Sequence, residues 1–253
     1  MQERSSTIDP SEVARFERLA RDWWDPKGPM KPLHKFNPVR LGYIRDAASR
    51  HWERDPRAAR PLDGLSILDV GCGGGVLSEP LARLGARVVG LDPAPTNIAV
   101  ARAHAEAAGV GVDYRTQTVE AVVAAGERFD VVLAMEVVEH VSDVRSFVHA
   151  CCAGVAPGGL LVMATINRTM RAFALAIVGA EYVLGWLPRG THDWSKFVTP
   201  SELKDAIAAG GLTNVETPGV TYNPLADRWS LGRDTAVNYM VLARRGPADP
   251  TSP

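Results

Sequence analysis

The chain has 253 residues, 46% of them hydrophobic and 23% charged, with a formal net charge of −1. At roughly 150 residues per domain this is one large domain or two small ones. The ordinary globular composition excludes disorder as the main state. The near-neutral charge excludes a strongly basic nucleic-acid binder, so no nucleic-acid partner is expected. Of the three cysteines, Cys151 and Cys152 are adjacent and no CxxC spacing occurs, which fits a reducing cytoplasm. No apolar run reaches the roughly 18 residues of a spanning helix. The early acidic residues Glu3, Asp9, Glu12 and Glu17 speak against a secretory or transit segment.

Asp9-Pro10-Ser11-Glu12 predicts a helix start, with Asp9 as cap, Pro10 in the first turn and Glu12 completing a capping box. Val13, Phe16, Leu19, Ala20 and Trp23 follow at helical spacing. Pro26, Gly28, Pro29 and Pro32 predict an irregular loop. Asn37-Pro38 predicts the start of a second helix, stopped by Pro56 and Pro61. From Ser66 the rhythm changes. Strands are expected at 67–70, 87–91, 112–116, 129–134 and 160–166, alternating with helices that end near Leu84, Ala108 and Val155. Pro157-Gly158-Gly159 reads as a turn. Such alternation predicts an α/β fold with a largely parallel sheet covered on both faces. A late helix at about 201–209 and strands near 215–222 and 236–243 complete the pattern. The expected organisation is an N-terminal helical cap (1–60), a main α/β domain (61–246) and a disordered tail (247–253).

One segment interrupts the alternation. Residues 168–189 hold an apolar run at 172–178, then Tyr182, Trp186 and Leu187, and three arginines against Glu181 give a formal +2. Two readings stand: a lid helix over the site, or a helix lying in a membrane interface. They are not exclusive.

The clearest chemical signal is Asp69-Val70-Gly71-Cys72-Gly73-Gly74-Gly75, between a strand and a helix. Glycines such as Gly71 and Gly73 let backbone turn tightly and approach a ligand. A dinucleotide fingerprint would want Gly or Ala where Val76 stands, and its pyrophosphate would be repelled by Asp69. S-adenosylmethionine, which carries an ammonium and a sulfonium, suits that carboxylate better. Asp92, at the end of the second strand, is placed to accept ribose hydroxyls. Arg40, on pattern alone, belongs to a solvated helix face.

These motifs resemble the class I S-adenosylmethionine-dependent methyltransferases. Further blocks, Lys31-Pro32-Leu33-His34, Asn37-Pro38-Val39-Arg40-Leu41-Gly42-Tyr43-Ile44, Met135-Glu136-Val137-Val138-Glu139-His140, Gly190-Thr191-His192-Asp193 and Val237-Asn238-Tyr239, resemble the O-methyltransferases of ubiquinone biosynthesis over nearly the whole chain. Thr221 stands where related sequences have His. The resemblance implies a Rossmann-like sheet of about seven strands, mostly parallel with the last antiparallel, and the apolar insertion after the fifth. It implies S-adenosylmethionine held by Gly71 and its neighbours, Asp92, the backbone at Met135, and Arg40 as a clamp on the methionine carboxylate. It implies as substrates the catechol-type hydroxyls of polyprenylated precursors, a 2-polyprenyl-6-hydroxyphenol and a 3-demethylubiquinol. A cytoplasmic enzyme peripheral on the inner face of the membrane, touching it through 168–189 and associating with other enzymes of the pathway, would suit them.

Methyl transfer to a phenol needs the hydroxyl deprotonated. If the chain turns helical after Met135, Glu136, Glu139 and His140 share one face. They then form a ligand set for Mg²⁺, with a catechol chelated on the metal. Alternatively His140 is a metal-free general base oriented by Glu136 or Glu139, or the glutamates are a helix cap and a surface salt bridge. Outside the methyltransferases, an NAD-dependent oxidoreductase and a non-catalytic cofactor- or lipid-binding module remain as alternatives.

Overall fold

The computed structural model describes residues 7–172 and 194–248. Its centre is a run of five parallel strands: β1 (Ser66–Val70), β2 (Arg87–Leu91), β3 (Asp113–Arg115), β4 (Phe129–Met135) and β5 (Val155–Ile166). Their apolar runs are buried on both faces. Ile67 packs with Val131, Leu133 and Val162 on one side, while its neighbour Leu68 packs with Val132, Phe147 and Leu161 on the other. Alternation along a strand thus feeds two cores, one beneath each helical layer.

Four more strands, β6 (Leu212–Glu216), β7 (Gly219–Asn223), β8 (Arg228–Gly232) and β9 (Asn238–Arg245), extend the sheet, and the described strands follow the order β3-β2-β1-β4-β5-β9-β7-β8, with β6 also paired to β9. β9 (Asn238–Arg245) runs antiparallel to β5, as the resemblance implied for the last strand. β1 passes to β2 on one side and neighbours β4 on the other, so the order reverses there. Ligands bind α/β sheets at such a switch, outside the carboxyl ends of the strands. Helices α5 (Val119–Ala124), α6 (Val144–Ala153) and α8 (Pro200–Ala209) cover one face. α2 (Lys31–His51) and α3 (Ser78–Arg83) cover the other. α4 (Pro95–Ala107) stops at Gly109, whose φ of +64° suits glycine.

Several local expectations are corrected. The described sheet has nine strands rather than seven, because 215–222 is not one strand. Pro218 separates β6 (Leu212–Glu216) from β7 (Gly219–Asn223), and β7 turns into a hairpin with β8 (Arg228–Gly232). α2 begins at Lys31, not Asn37, and carries Pro38 inside it. A proline there costs about 3 kcal/mol, offset by the buried Phe36, Tyr43, Ile44 and Ala47 and by the Asn37 side chain donating to the Val76 carbonyl. β5 starts at Val155, so Pro157-Gly158-Gly159 lies within the strand, where the pairing with β4 shifts register. α1 (Pro10–Arg18) is capped by Asp9 through Ser11, and Glu12 does not close a capping box. Among the described residues, α7 (Met170–Ala172) opens the insertion. The rest of that segment, with Trp186 and Leu187, and His192 and Asp193 just after it, lie outside the described residues.

Candidate active site

A cavity of about 740 Å³ opens at the carboxyl ends of the strands. Arg40, Asp69, Gly71, Gly73, Asp92, Met135, Glu136, Glu139 and His140 all line it. The sequence motifs, scattered over a hundred residues, therefore converge on one chamber.

The glycine loop leaves β1 with Gly71 at φ +72° and Gly73 at φ +53°. The Gly71 and Cys72 amides both donate to the Leu91 carbonyl, which ties the loop to the end of β2. A Cβ on Gly73 would lie 2.5 Å from the Trp23 indole. Glycine is thus required both for its backbone angle and because a cap residue packs onto the loop. The Trp23 Nε1–H donates to Asn97 Oδ1 (2.9 Å), and Asn97 Nδ2 donates to Asp92 Oδ1 (3.2 Å). Asp92 also accepts from the Ala94 and Gly73 amides at 2.8 and 3.0 Å. A carboxylate offers roughly four acceptor positions, so Asp92 retains about one for a further donor. Burial pushes its carboxyl above the usual range.

Asp69 is buried and accepts from the Ser78 hydroxyl at 2.6 Å. Burial raises its pKa to about 6, against the lowering effects of Ser78 and Arg40. Arg40 is only 3% exposed, so it does not lie on a solvated face. Its guanidinium carbon sits 3.9 Å from the Phe36 ring centroid. One terminal nitrogen lies 2.8 Å from Glu136 Oε1, and its buried Nε has no hydrogen-bond partner among the described residues. A buried guanidinium with unused donors can take a second carboxylate.

After Met135 the chain does not turn into an α-helix. Glu136 adopts φ +58°, and only a 3₁₀ turn, Val138–His140, follows. The i, i+3, i+4 face therefore never forms. Glu136 turns to Arg40. Glu139, 3% exposed, accepts from the Thr165 hydroxyl on β5 at 2.8 Å. Burial, reinforced by the charge of Glu136, raises the Glu139 carboxyl to about 7. His140 turns the other way, its Nδ1 3.1 Å from Glu12 Oε2 on α1. The expected Mg²⁺ set is thus corrected: among the described residues no group of three His, Cys, Asp or Glu side chains is disposed to hold a metal. The surface reading of the glutamates also fails for Glu139, which is buried.

Sequence reasoning missed Glu12 and Lys196, whose ammonium lies 3.1 Å from Glu12 Oε1. It also missed Trp23, Asn97 and Thr165 as parts of the site. No local spacing reports them, since each reaches its partner across the fold. His34, His51 and His104 are bonded to the Trp23 carbonyl, the Gly158 carbonyl and Glu79. Cys151 and Cys152 are core residues.

A methyltransferase-domain family profile matches residues 68–163. The chain is 72% identical to the ubiquinone biosynthesis O-methyltransferase of Methylobacterium sp. (strain 4-46), over 96% of this chain and 97% of that protein. It is 58% identical to the protein of the same name from Chelativorans sp. (strain BNC1), over 97% of each. In fold it is similar to magnesium protoporphyrin IX methyltransferase from Synechocystis PCC 6803, crystallised with S-adenosylhomocysteine. That likeness has a TM-score of 0.63 at 19% identity and covers 94% of this chain and all of the other. Cofactor-type loop, switch-point cavity and full-length similarity agree: the chain belongs to the ubiquinone biosynthesis O-methyltransferases, S-adenosylmethionine-dependent enzymes on the class I methyltransferase fold.

Proposed function

We propose that the enzyme methylates catechol-type hydroxyls of polyprenylated ubiquinone precursors, with His140 as the general base. The observation that carries this reading is one continuous cavity. Its lining includes the glycine loop, Asp92, Arg40 and His140, together with the apolar side chains of Leu33, Phe36, Val220 and Trp229. S-adenosylmethionine supplies a methyl group already activated by its sulfonium. What remains for the protein is to hold both reactants in line and to remove a phenolic proton. A phenol titrates near 10, so a base in contact is needed at neutral pH. Asp92, Arg40, the glycine loop and the Met135 backbone serve to fix the cofactor. The imidazole takes the acceptor proton, and the apolar wall accommodates a prenylated ring and shields the reaction from water.

A Mg²⁺ ion on Glu136, Glu139 and His140 would require the Arg40 and Glu12 pairs to open first. The reading therefore gives the proton to His140 directly. The test is transfer of a labelled methyl group to a soluble short-tailed catechol, for wild type and His140→Asn, with and without EDTA. Transfer that survives EDTA and falls about 10²- to 10⁴-fold in His140→Asn is expected. Loss on chelation, restored by Mg²⁺, would favour the metal. Full activity in His140→Asn would end the base assignment.

We also propose that the enzyme works at the inner face of the membrane, contacting it through 168–189. Among the described residues no helix is long and apolar enough to cross a bilayer. A polyprenylated acceptor resides in lipid, and the basic, Trp-containing insertion is the segment suited to an interface. Changing Trp186 and Leu187 to Asp should lower cosedimentation with anionic liposomes without unfolding the protein. Unchanged cosedimentation would refute it.

A further inference from the structure

We infer that the β7–β8 hairpin, closed against α2, is the subsite for the isoprenoid tail of the acceptor, with Tyr222 and Trp229 as the residues that select for it. This deepens the proposed function. It rests on the polyprenylated acceptor and not on the identity of the base.

In the hairpin register Tyr222 lies opposite Trp229, so both rings stand on one face of the ribbon. Their centroids are 5.2 Å apart. The Asn223 side chain accepts from the Leu225 and Ala226 amides and folds the turn. β7 pairs with β9 only at Gly219 and Val220, so among the described strands the hairpin stands clear of the sheet from Thr221 onward. A two-stranded ribbon is marginal without support. Here α2 supplies it. Trp229 stacks on Phe36 with centroids 4.7 Å apart and planes 22° from parallel. The Lys35 ammonium reaches the Asp227 carboxylate in the turn at 2.5 and 2.7 Å. Both partners of that ion pair are exposed, so it contributes little, and the aromatic stack carries the closure.

This packing does not use up the rings. Phe36 is buried in the core, but Tyr222 and Trp229 remain half-buried. Both line the same cavity as Gly71, Gly73 and Asp92. Pro224, in the turn, lines it too, and its neighbour Leu225 is 98% exposed. The cavity therefore reaches the exposed tip of the hairpin, where a chain attached to an acceptor ring can pass out. An isoprenoid tail is a run of branched apolar units with no hydrogen-bonding group. The Tyr222 hydroxyl already donates to Asp227, so its ring offers apolar surface without leaving a polar group unpaired. A methylene moved from water onto such surface improves binding about fourfold. Even partial cover of one five-carbon unit then distinguishes a tailed acceptor from a bare catechol.

The experiment measures kcat/KM on the intact enzyme for catechols that carry no tail or a tail of one, two or three isoprene units. The proteins are wild type, Tyr222→Ala, Trp229→Ala and Trp229→Leu, each checked for folding by its binding of S-adenosylhomocysteine. In the wild type each added unit should raise kcat/KM about tenfold until the tail passes the hairpin. In Tyr222→Ala and Trp229→Ala that rise should flatten, lowering the ratio of tailed to tailless kcat/KM about 10- to 100-fold. Trp229→Leu keeps apolar bulk against Phe36, so it carries the test if Trp229→Ala does not fold, and its ratio should fall by a smaller factor. A ratio equal to the wild type's in the folded variants, or kcat/KM that falls equally for tailed and tailless acceptors, would overturn the subsite and leave the polyprenylated acceptor standing. A wild type that turns over all four catechols alike would overturn the acceptor reading and the subsite with it.

Discussion

Replacing Asp69 with Asn preserves the shape of the side chain and an oxygen to accept the Ser78 hydroxyl, but removes a charge that burial penalises. The carboxyl is raised from an ordinary 3.8 to about 6, chiefly by desolvation. Below pH 3.8 it is protonated in both the folded and unfolded chain, and no penalty exists. Between 3.8 and about 6 the unfolded chain loses the proton while the folded chain retains it, so folding becomes progressively less favourable. Above 6 both are ionised and the penalty is complete. At 1.36 kcal/mol per pH unit, this interval amounts to about 3 kcal/mol. Asp69→Asn should therefore match the wild type near pH 4 and exceed its stability by up to about 3 kcal/mol at pH 7.5. The gain should come with weaker binding of S-adenosylhomocysteine. Such opposition between stability and a charged site is common in enzymes. Urea unfolding midpoints from pH 4 to 8 measure the difference. Parallel stability curves for the two proteins would refute the reasoning.

Other substitutions probe the loop and its supports. Gly75→Ala would combine φ +84° with a Cβ 2.1 Å from the Tyr114 hydroxyl. A loss of about 2 to 5 kcal/mol in urea unfolding is expected, and a loss below about 1 kcal/mol would contradict the geometry. Trp23→Phe removes the donor to Asn97 behind Asp92, and should raise the Kd of S-adenosylhomocysteine about 2- to 10-fold by calorimetry; an unchanged Kd would detach that chain of bonds from the cofactor site. Thr199→Ala breaks a formed capping box with Glu202 at the start of α8 and should cost about 1 kcal/mol, read as a shift in the urea midpoint with no change in kcat.

The strap of residues 7–18 shows where local pattern stops being informative. Asp9, Pro10 and Ser11 read as a helix start and form one. Glu12 reads equally well as the end of a capping box, because its spacing satisfies that motif. In the fold its carboxylate has stronger partners, His140 and Lys196, which are far away in sequence. Met135 to His140 fails for a related reason. Helical spacing of Glu136, Glu139 and His140 presupposes helical backbone, but the chain leaves β4 with φ +58° at Glu136 and sends the three side chains to three partners.

Sequence alone determined the elements whose cause is local. β2 was legible to the residue because a short apolar run ends at Asp92. α4 was legible because Pro95 and Gly109 punctuate it. The glycine loop was legible because only glycine accepts its angles between a strand and a helix. Length and composition set the class of an ordinary globular chain. Tertiary structure alone decided where buried charges find their partners. It placed Arg40 inside, against Phe36 and Glu136, gave His140 to Glu12, and set Trp23 on the glycine loop. Backbone conformation follows largely from neighbours in the chain, whereas a buried charge must be neutralised by whatever the fold brings within a few ångströms, and chain order carries no signal of that.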